Sequence, residues 1–317
     1  MAGKKSQLVR YDKYGYFFVA PFILAFLMFQ LYPIVYTFQL SLTDLAGWET
    51  DLNYVGLKNF QAILKNELFI KAFRNTWIIW ALNFVPQIGL ALILAKWFSD
   101  IRMNLKGAGI FKVAFYMPNI ITAASVAILF ASLFGYPNGP INQLLMYFGV
   151  LEEPFEFFRS VWATRSIVAF IQFWMWYGST FIIITAAILG INPSLYEAAR
   201  VDGATSGQMF RHITLPLISP ITLYILVTSL IGGMQMFDIP FLLTKDGNPG
   251  YSIETITMFI YRQAFQGGRN YYVASTASVL LFLVILVVSF FLFKAMNRKT
   301  DEESNRKRRL KRMGGTQ

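Results

Sequence analysis

Six stretches of this chain lack Asp, Glu, Lys and Arg: residues 14–43, 75–95, 113–151, 166–196, 213–237 and 270–293. Each is longer than the roughly 20 residues that carry a helix across the hydrocarbon of a bilayer. Inside hydrocarbon a segment must satisfy its own backbone N–H and C=O groups, so each stretch predicts a transmembrane helix. The third and fourth exceed one crossing and are trimmed to 113–134 and 166–189. That leaves 135–165 as an outer segment, rich in Gly, Pro and Asn at its start, with a surface helix expected over about 141–148. Pro21, Pro33, Pro86, Pro118 and Pro220 fall in or near the spans, where kinks are expected. The predicted fold class is all-α: a polytopic membrane protein of six transmembrane helices. It is divided into an N-terminal segment 1–13, a transmembrane domain 14–296 and a basic tail 297–317.

The long hydrophilic interruption, about residues 190–216, has its own pattern. Asn192-Pro193 reads as an N-cap followed by proline at the first helical position, and Ser194 to Val201 can then form about two turns of helix. Gly203 breaks it. A second short helix is expected from about Thr205 to Ile213, stopping where Pro216 removes a backbone donor. The product is a helix, a glycine turn and a helix on a membrane surface, carrying Glu197, Arg200, Asp202, Arg211 and His212.

Composition agrees with a membrane protein. Hydrophobic residues make up 56% and charged residues 14%, against about 25% charged in soluble domains, and mean hydropathy is +0.48. With the N-terminus inside, 19 of the 28 Lys and Arg fall on the inner side, whereas the outer segments hold 9, together with 10 of the 17 acids. The positive-inside bias predicts N-in and C-in, which puts the 190–216 loop in the cytoplasm. The net charge of +11 does not require nucleic acid: the run 306–312, RKRRLKR, follows a span and reads as retention on the inner face plus attraction to anionic lipid. With no cysteine and a single histidine, disulfides and a thiolate metal site are excluded and other metal chemistry has almost no ligands. The first apolar run is too long for a signal-peptide core and is read as a retained span.

Glu197-Ala198-Ala199, three residues, Gly203, nine residues, then Ile213-x-Leu215-Pro216 resembles the signature loop of the membrane subunits of ATP-binding-cassette importers. The flanks LYEAARVDGA and FRHITLP, the opening FFVAPFILAFLMFQLYPIVYTFQLSLTD, and YVGLKNF, FRNT and MFIYRQAF are similar to the first permease of maltose-type carbohydrate importers. The resemblance implies a bacterial inner-membrane permease subunit that is not itself an enzyme. It would pair with a homologous second permease and with two cytoplasmic ATPases that hold ATP and Mg, and it would be fed by an extracytoplasmic solute-binding protein. The loop residues Glu197, Ala198, Ala199, Arg200, Asp202, Gly203, Ile213, Leu215 and Pro216 would then couple the bundle to an ATPase. Glu197 offers a carboxylate for a charge-assisted bond. The two alanines permit close approach, Gly203 permits the turn, and Ile213 and Leu215 anchor the second helix.

The resemblance also implies that spans four and five line the substrate path. Counted from the loop, the corresponding positions are Met175, Trp176 and Ser179, and Ser229, Gly232, Gly233 and Met236, with Gln235 beside them. Trp176 could stack on a sugar ring, with Ser179, Ser229 and Gln235 as hydrogen-bond partners; the competing reading is ordinary close packing of membrane helices. Asp238 falls just outside the apolar part of span five and is read as a wet interfacial acid in preference to an outer gate contact. No G-x-x-x-x-G-K-[ST] loop occurs, so this chain carries no P-loop ATP site. The expected substrate is an oligosaccharide or another carbohydrate, with glycerol phosphate, a polyol or a uronate oligomer as alternatives. A secondary carrier working alone is the competing class, disfavoured because the trimmed spans hold no ionisable residue and no repeat is evident.

Overall fold

The computed structural model describes residues 12–48, 51–99, 107–244 and 247–313, with side chains over the range 14–295. Nearly all of the described residues are helical, and among them no strand forms beyond the isolated bridge between Thr43 and Tyr54. The elements are α1 (Tyr14–Ser41), α2 (Lys58–Ile63), α3 (Glu67–Ser99), α4 (Ala108–Tyr116), α5 (Ala123–Leu133), α6 (Pro140–Tyr147), α7 (Val161–Leu189), α8 (Pro193–Val201), α9 (beginning Ser206–Met209), α10 (Ser219–Met234), α11 (Asp238–Leu243), α12 (Ile256–Phe265) and α13 (Tyr271–Met313). Residues 1–11 and the side chains of the basic run 306–312, to which the sequence assigns roles, lie outside the described residues.

Among the described residues, five helices are long and apolar enough to cross a membrane: α1, α3, α7, α10 continued into α11, and α13. The third expected span, 113–134, is not one straight helix. It breaks between Ile120 and Ala123 into two limbs bent by 91°. Pro118 sits in a 3-10 turn over Met117–Ile120, and Thr122 starts the new limb by accepting from the Ser125 N–H at 3.4 Å. A missing donor followed at once by a fresh cap re-aims the chain. The fourth span begins earlier than its charge-free core, because Ser160 caps α7, and so Arg165 lies inside the helix.

Two further prolines are accommodated by π-turns. Leu27–Leu31 precedes Pro33 and Phe210–Thr214 precedes Pro216; Tyr32 N–H reaches back to Leu27 O and Leu215 N–H to Phe210 O, five residues in each case. Widening the turn relieves the clash between a proline ring and the carbonyl four residues before it. The second short helix therefore does not stop before Pro216, as its sequence suggested. α9 continues through Phe210–Thr214 and Leu215–Leu217 and hands over to α10 at Ile218.

In lipid, apolar side chains gain little by leaving the tails, so close packing holds helices together. The most extensive pairing is α3 with α7. Ala91, Leu94 and Ala95 of α3 meet Phe181, Ile184 and Ile188 of α7 at one end of the bundle, and Ile79 joins Ile171, Met175 and Phe130 nearer the other. A third cluster locks α3 to α10, α12 and α13 through Phe69, Ala72, Leu230, Met234, Phe259 and Ala277. Gly178 lets α7 approach the backbone of α4 at Phe115 so closely that a methyl group there would overlap its carbonyl. α1 stands apart: none of its most apolar window is buried, and it touches the bundle near its end, where Phe38 meets Phe282 at 5.9 Å.

Candidate functional site

α7 and α10 carry two features at different depths: a cavity between the helices and the helix–turn–helix that joins their ends. The joint is locally well determined. Asn192 accepts from the Ser194 N–H at 3.1 Å and starts α8 with Pro193 in its first turn. α8 ends in a Schellman arrangement, with Ala204 N–H bonded to Ala199 O at 2.9 Å and Gly203 N–H to Arg200 O at 3.0 Å. Gly203 has φ +79° and no atom within 4 Å of where a Cβ would stand, so the turn itself, not crowding within this chain, calls for glycine here. Thr205 and Gln208 form a reciprocal capping box at 3.3 and 2.8 Å, which starts α9.

The loop is braced against the bundle. Tyr196 Oη and Thr214 Oγ1 lie 2.9 Å apart, Met209 is buried, and Lys96 Nζ of α3 sits 5.2 Å from the centre of the Phe210 ring. Glu197, Ala198, Arg200, Asp202 and Pro216 are exposed; Ala199, Ile213 and Leu215 are half-buried. Leu215 packs against the α3–α7–α10 cluster. Val201, not singled out in the sequence, is 89% exposed and gives the outward face an apolar contact point. The bracing residues Tyr196, Lys96 and Phe210 were also missed; no sequence spacing marks them, because they meet only after α8 folds back.

The cavity measures about 460 Å³ and is formed by α3, α7, α10 and the start of α11. All eight residues assigned to the substrate path, Met175, Trp176, Ser179, Ser229, Gly232, Gly233, Gln235 and Met236, belong to its wall, with unequal exposure. Trp176 is half exposed and Gln235 is exposed, whereas Met175 and Met236 are buried in the apolar cluster behind. Ser179 donates to Trp176 O at 3.0 Å. Gly232 has open space around it, but Gly233 lies under the indole of Trp80, which leaves no room for a Cβ. At Gly233 the packing reading is the one the geometry favours.

α3 supplies the wall that the sequence reading did not anticipate. Trp80 donates to Ser229 O at 3.0 Å, with Ser229 Oγ at 3.3 Å, and stacks on Phe84 at 5.2 Å. Gln87 donates to Thr180 Oγ1 at 2.7 Å, and Asn83 lies one turn before it. Two amides at i and i+4 inside a charge-free span were a legible signal, since polar groups in a membrane helix turn toward the bundle interior. Asp238 also lines this cavity and is exposed in it.

Away from the cavity, Arg165 is 6% exposed and donates to Asn75 Oδ1 at 2.6 Å and to Ser252 O at 2.9 Å. Asn75 donates to Tyr251 O and Glu254 O, so α3 and α7 together grip residues 251–254. Glu254 is 2% exposed, with Arg262 Nε at 3.4 Å from one oxygen; its other oxygen has no partner among the described residues. Burial pushes its carboxyl above the ordinary range, opposed by Arg262 and Lys71.

A helical membrane protein with a mainly apolar cavity that carries amides and hydroxyls, linked to an exposed surface helix pair, is the class that this architecture defines: a transport permease. The chain belongs to the binding-protein-dependent transport system inner membrane component family, which matches residues 16–302. It is 31% identical to the lactose transport system permease protein LacF of Rhizobium radiobacter, across 92% of this chain and 97% of that one. It is 33% identical to the arabinooligosaccharides transport system permease protein AraP of Bacillus subtilis (strain 168), across 84% and 83%. Among solved structures, a chain of a bacterial ABC transporter involved in the import of the acidic polysaccharide alginate superposes with TM-score 0.79 at 28% identity, covering 92% of this chain and 97% of that one.

Proposed function

We propose that this chain forms half of the translocation path of an ATP-driven importer for a carbohydrate, an oligosaccharide in the first instance. A homologous second permease supplies the facing half, two cytoplasmic ATPases hold ATP and Mg, and an extracytoplasmic solute-binding protein delivers the substrate. The observation that carries the reading is continuity: α7 runs from the cavity wall at Trp176 into α8 through Ile191 and Asn192, and α9 runs without a loop into α10, which returns to the cavity at Ser229 and Gly232. A push on the exposed face of α8 therefore reaches both walls through helices. The relatives' lactose and arabinooligosaccharide systems support a saccharide, and a half-exposed Trp176 beside amides and hydroxyls suits stacking on a sugar ring.

In this scheme Glu197, Arg200 and Asp202 meet charged groups of an ATPase on the cytoplasmic side, Val201 enters an apolar recess, and both termini face the cytoplasm. Whatever the nucleotide state does to the cavity, substrate in the cavity does in return to the nucleotide equilibrium. The test is Glu197→Ala combined with the matching change in the second permease, in the reconstituted complex. Transport and substrate-stimulated ATP hydrolysis should both fall while all subunits stay in the membrane. Full substrate-stimulated hydrolysis in that double variant would refute the coupling role.

A further inference from the structure

We propose that the cavity accepts uncharged saccharides and rejects anionic ones, and that Asp238 is the residue that sets this selectivity; the proposal rests on the reading of the cavity as the sugar path. Among the described residues that wall the cavity there is no Lys, Arg or His, and Asp238 is the one carboxylate. It is exposed, and neither of the two ion pairs among the described residues involves it. The nearest candidate for a counter-charge along α7, Arg165, is committed to Asn75 and Ser252 and lies outside the wall.

The polar groups that share the cavity wall with Asp238 do not offset it. The indole N–H of Trp80 is engaged by Ser229 and the amide of Gln87 by Thr180. Gln172 and Gln235 present amides, each with a donor and an acceptor, which suits sugar hydroxyls and gives no net positive potential. A carboxylate with no cation among the described residues of its wall, in a cleft with mainly apolar walls, focuses a negative field into it. A uronate or phosphate entering here would give up hydration and meet a like charge with no cation on this wall, which is costly. A neutral sugar meets none of this. The related alginate importer, similar over nearly the whole chain, has the same fold, so the fold does not decide charge; the wall does.

The chain contains no cysteine, so Gln235→Cys puts a single thiol of this chain in the cavity. In the assembled, reconstituted complex its labelling is measured with a trimethylammonium and a sulfonate thiosulfonate of matched size, each rate divided by that reagent's rate with a free small thiol. The cation should be favoured by about 10-fold or more. The preference should survive Asp238→Glu and collapse toward one in Asp238→Asn. A ratio at or below one, or a ratio untouched by Asp238→Asn, overturns the proposal.

The second arm measures protection of the same thiol by lactose, by neutral arabinan oligosaccharides and by alginate-derived oligouronates of matched length. Protection by a neutral saccharide and none by the oligouronates is the expected result, and equal protection by the uronates overturns the proposal. Failure of every saccharide to protect, with the reagent ratio intact, defeats the sugar-path reading itself and the selectivity proposal with it.

Discussion

Gly232 and Gly233 are adjacent on α10, and the same substitution should act on them with opposite sign. A methyl at Gly233 would stand inside the indole of Trp80. That ring is fixed on two sides, stacked on Phe84 at 5.2 Å and donating to Ser229 O at 3.0 Å. Gly233→Ala must push it aside. Overpacking of this kind costs about 1–3 kcal/mol, and loss of the indole hydrogen bond adds about 0.5–1.5 kcal/mol. Gly232 has nothing within 4 Å of a built Cβ, so Gly232→Ala should be neutral or stabilising by up to about 1 kcal/mol through helix propensity, while trimming the cavity. Each 1.4 kcal/mol is a tenfold change in an equilibrium, so the two variants should separate by about one to four orders of magnitude in the population of opened protein. The assay is the fraction of purified complex that stays assembled and monodisperse along a temperature series. A double-mutant cycle with Trp80→Phe supplies the control, because a smaller ring should relieve much of the Gly233→Ala cost. Equal stability of the two alanine variants, or a Gly233→Ala cost unchanged by Trp80→Phe, would refute the assignment of this contact.

Three further outcomes can be measured on the same preparation. Tyr196→Phe removes the 2.9 Å contact with Thr214; it should lower the ratio of substrate carried to ATP hydrolysed with little loss of assembly, and an unchanged ratio argues against the brace. Arg165→Met leaves Asn75 Oδ1 and Ser252 O without their donor at about 1–3 kcal/mol per unsatisfied buried group. It should speed amide exchange around 251–254, whereas exchange as slow as in the parent would show that the segment is held by something else. Burial keeps the Glu254 carboxyl above its ordinary value of 4.5, so the folded protein binds the extra proton once pH passes that value. Its contribution to stability should fall with rising pH until the folded group itself ionises. Glu254→Gln should flatten that part of the thermal-stability profile; an identical slope in parent and variant would refute the linkage.

Much of this protein is local, and local features are legible in residues. Charge-free length is set by bilayer thickness, and so the positions of five spans follow from counting. Caps are short-range chemistry: Asn192 with Pro193, Gly203 at positive φ and Thr205 with Gln208 each involve groups within a few residues of one another. The motif from Glu197 to Pro216 identifies the family for the same reason. The break at Pro118 was half visible, because a proline marks a kink without giving its angle; the cap at Thr122 turns it into a 91° bend.

Tertiary structure decided what lies across from what. Spacing places Gly232 and Gly233 on one helix, but only the position of Trp80, some 150 residues earlier in the chain, makes one of them open and the other closed. Arg165 counted as a charge outside a span until Ser160 extended α7 around it and Asn75 and Ser252 took its donors. Asp238 read as an interfacial acid because hydropathy measures distance along the chain, whereas membership of a cavity wall depends on how α10 ends and α11 begins beside α7. Periodicity fixes which residues a helix can present on one face; contacts between helices, settled by small residues and hydrogen bonds from distant segments, fix what that face meets.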